Sequence, residues 1–186
     1  LIPALGGLFS SVIPANTAFR VGVRPVKLAV LIVTEENRLI GEYQLHGRTI
    51  IEARDWIRSR ITLIGADGSH YTLARHYEIP RHPVAIGESF DASEPARFEE
   101  LAKWFCNAAA LLESVARTTR RSSELRCSPR HLDISTRIGS GSHVVNFALD
   151  DHGGPPASQP RALPRAFGSF GTFFSFGTFF VPFFVR

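Results

Sequence analysis

The stretch that most constrains the fold runs from Pro95 to Thr119, where apolar residues recur at helical spacing inside a polar background. Phe98, Leu101, Phe105, Leu112 and Val115 fall on one side of a helix, because 3.6 residues per turn brings positions three, four and seven apart onto the same face. Ala102, Ala108, Ala109 and Ala116 lie among them and permit a neighbour to approach closely. Ser93 is placed to cap the start, with Glu94 and Pro95 in the first turn, where a carboxylate and a missing N–H are both tolerated. At 1.5 Å per residue such a helix is about 35 Å long, enough to cross a small sheet. The rest of the chain must therefore supply an apolar surface for it.

That surface is predicted to be a sheet. VKLAVLIV from Val26 is a continuous aliphatic run of the kind that forms a strand buried on both faces, TEEN at 34–37 is a polar turn, and RLIGEYQLHG returns as a second strand. Thr49 and Glu52 have capping-box spacing ahead of a shorter helix at about 49–60. In it Ile50, Ala53, Ile57 and Ile61 form one stripe while Arg54, Asp55 and Arg58 face water. ADGSH turns the chain, YTLARHYEI reads as a strand, and RHPVAIGESF, with Pro83 and Gly87, reads as loop. GSGS at 139–142 is a hairpin turn between HLDISTRI and HVVNFAL, since it lacks the spacing of a phosphate loop. The expected fold is α+β: an antiparallel sheet of four to six strands with a long helix at 95–119 and a shorter one packed on it.

With 186 residues and 44% hydrophobic content, the chain can bury one sizeable core, which 26–150 is expected to supply as a single domain. Residues 1–25 are apolar but interrupted by Pro3, Gly6, Gly7 and Pro14, and read as a leader or the remnant of an upstream element. No basic segment precedes that run, so a signal peptide is not supported. The chain opens at Leu1 and contains no methionine, so it is expected to be a fragment. A formal charge of +4 is too modest an excess to imply nucleic acid as a partner. Two cysteines are too few for a disulfide framework and fit a soluble protein of the cytoplasm, with Cys106 expected to be a buried thiol of the long helix.

Downstream of that helix lies the one compact group of reactive side chains: Cys127, His131 and Asp133. If HLDIS is extended, His131 and Asp133 share a face and can form an oriented acid/base pair. Cys127 joins them only if the chain turns back at Pro129, and Arg126 and Arg130 would lower its thiol pKa. These three are the candidate catalytic residues, with Arg126, His76 and His82 as candidate binding residues. The same side chains also suit a surface strand with ordinary hydrogen bonds. No metal is predicted: His143 is the nearest further donor, and no C-x-x-C or H-x-x-x-H spacing occurs. No cofactor follows from the sequence. Arg117, Arg120 and Arg121 compensate the helix dipole or hold a small anionic ligand.

Two runs, LAKWFCNAA at 101–109 and CSPRHLDIST at 127–136, resemble a bacterial protein family of unknown function. In that family a Leu-Ala-Arg-Trp-Phe-Ala-Asn-Ala helix precedes a Cys-Trp-Pro-His-His-Phe-Asp-Ile-Ala-Thr segment. The resemblance covers about residues 28–138 and carries over Cys127, Pro129, His131, Asp133 and Thr136 as family-like positions, with no activity attached. Ser128 stands in place of the family's Trp and Arg130 in place of its first His, so a degenerate or frameshifted copy is one reading.

From 151 the chain changes in kind. A Pro/Gly-rich linker leads to SFGTFF repeated at 169–174 and 175–180, and nine of the fifteen phenylalanines fall in the last twenty residues. This tail is expected to be disordered or adventitious, with self-association through its aromatics as a possible partnership. Gly168, Gly171, Gly177 and Pro182 argue against a membrane span. Two functions follow from the sequence: a small-molecule binding domain or enzyme centred on His131 and Asp133, or a non-catalytic structural or protein-interaction module.

Overall fold

The computed structural model describes residues 2–4, 6–74, 82–127, 134–140 and 143–149. The fold is α+β with antiparallel sheets and two helices, but the strands divide into two sheets. The first holds β1 (Ile2–Ala4), β2 (Gly7–Phe9), β3 (Phe19–Arg24), β4 (Ala29–Thr34) and β5 (Leu39–Gln44), in that spatial order. The second holds β6 (Arg126–Cys127), β7 (Ile134–Ser140) and β8 (His143–Leu149). Between them come α1 (Ile50–Leu63) and α2 (Pro95–Thr118).

β4 is buried at all six positions, as an unbroken aliphatic run requires. Its register with β3 pairs Val21 with Ile32 and Val23 with Val30, so these four face the main core together. Leu31 and Val33 point the other way and form a small second cluster with Phe9. Phe9 sits opposite Gly22 on β3, and a Cβ at Gly22 would overlap the Phe9 ring. Glycine here is thus a packing requirement: it lets the ring lie flat across β3 toward Leu31, the cross-strand partner of Gly22.

Residues 7–24 are therefore integral to the sheet, correcting the expectation that 1–25 is a leader: Leu8, Phe19, Val21 and Val23 are core residues. Gly6 and Pro14 mark the strand connections, and the period-two alternation of Phe19, Val21 and Val23 carries the strand signal.

α1 has the expected Thr49–Glu52 capping box, and Ile50, Ala53, Ile57 and Ile61 are its buried residues. Trp56 of α1 stacks on Tyr43 of β5 at 5.1 Å between centroids, with the Arg60 guanidinium 5.7 Å from the Trp56 centroid. Arg58 does not face water as expected: its Nε donates to the Tyr71 carbonyl at 2.7 Å and ties down the segment after the helix. Residues 71–74 are irregular where a strand was expected, and 83–86 form a 3-10 turn where loop was expected.

α2 buries Phe105, Ala108 and Leu112, with Phe98, Leu101, Ala109 and Ala116 packed partly against the same core. Its N-cap is Glu94, without a side-chain bond, in place of the expected Ser93. The Ser93 N–H donates instead to the Asp91 carboxylate. Leu125, Cys127 and Ile134 bring the second sheet into the same cluster, so one continuous core joins both sheets and both helices. Among the described residues, no helix is long and apolar enough to cross a membrane.

Candidate functional site

β6 pairs antiparallel with β7, and Cys127 lies directly opposite Ile134. β6 and β7 therefore run in opposite directions, with Cys127 and Ile134 as neighbours across the ladder. His131, Asp133 and His76 lie outside the described residues, as does the tail from 150.

Cys127 is directed into the core. It is 1% exposed and packs in the main cluster beside Ile134, itself fully buried. At that exposure the sulfur is shielded from any substrate arriving from solution. Arg126, the adjacent residue of a strand, points outward: its guanidinium pairs with Glu124 at 2.8 Å and donates to Ser11 Oγ at 3.2 Å. The bond to Ser11 links the second sheet to the segment after β2. The expectation that Cys106 is buried fails, because it lies about 100° around the helix from Phe105, off the apolar stripe.

His82 is the N-cap of the 3-10 turn at Pro83–Ile86, its Nδ1 accepting from the Val84 N–H at 3.3 Å. That contact needs Nδ1 unprotonated. Partial burial lowers the imidazole pKa below its ordinary 6.5, against an opposing pull from Glu88. His46, which the sequence reading passed over, does similar work: its Nδ1 accepts from the Ala92 N–H at 2.9 Å, with the Asp91 carboxylate 3.7 Å away. Together with Gly47 N–H to Phe90 O and Phe90 N–H to Arg48 O, this clips the approach to α2 onto the end of β5. No local sequence signal marks it, since the partners are 46 residues apart.

The C-terminal end of α2 opens into a groove of about 580 Å³, walled by Glu113 and Arg117 of the helix and by Ser122, Ser123, Glu124 and Leu125. The helix carbonyls here are satisfied by hydroxyls: Thr118 and Thr119 Oγ1 donate to Val115 O, and Ser122 Oγ donates to Ala116 O. Beyond the groove the chain fastens onto β7, with Ser123 N–H to Arg137 O at 2.8 Å and the buried Thr136 hydroxyl to Ser123 O at 2.9 Å. Among the described residues no group of three or more His, Cys, Asp and Glu is arranged to hold a metal ion. No protein-family model, no curated protein and no solved structure matches the chain.

Proposed function

We propose that the chain is a non-catalytic, cytoplasmic protein-interaction module, and a copy of the bacterial family whose helix and Cys-Trp-Pro-His-His-Phe-Asp-Ile-Ala-Thr segment it resembles. The observation that carries the functional reading is the burial of Cys127 in the core, at 1% exposure. Arg126 and His82 point the same way, since one holds an ion pair and the other a turn. The family-like residues Cys127 and Thr136 are both buried, which gives them a packing role without any ligand.

A second reading keeps one observation. The Cys127–Ile134 pairing makes neighbours of the two described residues that flank the stretch of sequence holding His131 and Asp133. Thermal shift of the full chain and of His131→Ala and Asp133→Asn, against metabolites, small anions and divalent metals, separates the two. The module reading expects no compound to stabilise the parent more than the variants. A ligand whose stabilisation disappears in both variants overturns it in favour of a small-molecule site.

A further inference from the structure

We propose that β8 is an interface strand whose partner is β8 of a second copy of this chain, paired antiparallel about Asn146. The inference rests on the module reading and names its partner.

The two sheets present edges of different character. β1 and β6 lie beside one another, leaving β5 and β8 as the outer strands among the described residues. β5 carries the features that discourage pairing. Its Glu42 is engaged by Arg24 at 3.5 Å and Lys27 at 3.8 Å, Gly41 lies within it, and its ladder to β4 is broken by a bulge. β8 has none of them. HVVNFAL contains no Asp, Glu, Lys, Arg, Pro or Gly, and its ladder to β7 runs unbroken through seven pairs from Ile134–Leu149 to Ser140–His143. A strand of this length has a row of backbone N–H and C=O groups on its outer edge that want partners.

The sequence of β8 suits itself. A two-fold axis through Asn146 sets Val145 opposite Phe147, Val144 opposite Ala148 and His143 opposite Leu149. No like charges are opposed, and Val145 with Phe147 is a β-branched–aromatic pair, made twice about the axis and favourable across strands. On β7, the exposed Arg137 is the ladder partner of Asn146, so within one copy a carboxylate at 146 meets an opposite charge and a Lys a like one, which is why parental circular dichroism is required of both variants.

Sedimentation equilibrium of the full chain tests this directly. The parent is expected to be a dimer. Asn146→Asp and Asn146→Lys, each with parental circular dichroism, are each expected to be monomers, because the two-fold axis faces every new charge with its own copy. An equimolar mixture of the two variants is expected to recover the dimer. A variant that fails to fold is replaced by Asn146→Glu or Asn146→Arg in the same design. A monomeric parent, a dimer indifferent to both charges, or a mixture that stays monomeric overturns the proposal. Loss of association on Phe173→Ser with Phe179→Ser, and not at Asn146, assigns it to the Phe-rich tail instead. These outcomes leave the ligand test of the module reading untouched, so the two stand or fall separately.

Discussion

At the scale of single residues, the two cysteines have exchanged the environments their sequence contexts suggest. Cys106 stands within an apolar-striped helix and is exposed, whereas Cys127 stands among arginines and serines and is buried. The expected outcome with an aromatic disulfide reagent is one thiol titrated in the native protein and a second only on unfolding. Cys106→Ser is expected to abolish the fast phase, and two fast thiols in the parent would refute the burial of Cys127. His82 supplies a pH dependence whose sign follows from its lowered pKa. Folding favours the neutral ring, so its contribution is complete above 6.5 and is lost as pH falls through the lower native value. His82→Asn, which keeps an oxygen acceptor for the Val84 N–H, is expected to flatten that part of the stability–pH curve, as followed by urea denaturation from pH 7.5 to 5. An unchanged curve would show that His82 does not titrate differently on folding.

At the scale of elements, α1 was the most legible. Its capping box and four-residue apolar stripe are both local in sequence, and both appear in the fold. Thr49→Ala is expected to cost about 1 kcal/mol in chemical denaturation, the usual effect of losing such a cap. The Phe9–Gly22 contact was invisible to a local reading, since it needs the register of β2 on β3 to be known. Gly22→Ala is expected to cost about 1–3 kcal/mol through overpacking. In a Phe9→Ala background the same substitution should cost much less, giving a non-additive double-mutant cycle. Strict additivity would mean that the ring does not lie over that glycine.

For the molecule as a whole, Cys127 and Ile134 of the second sheet, with Leu125 just before it, share one core with Phe105 and Leu112 of α2 and Ile57 of α1. The described residues of both sheets should therefore unfold together. Near-ultraviolet and far-ultraviolet dichroism are expected to give coincident transitions in urea. Ile134→Ala, which removes a fully buried side chain, should shift both by an equal amount, worth about 2–5 kcal/mol. Separate transitions, with only one responding to Ile134→Ala, would show two independent cores. The sequence by itself determined the α+β class, the two helices and their buried stripes, and the doubly buried β4, because helical and strand periodicities are properties of neighbouring residues. Only tertiary structure decided that the strands form two sheets, that β1, β2 and β3 complete the first, and that Cys127 turns inward. Each of these depends on which distant strand supplies the pairing partner, and local periodicity carries no information about that.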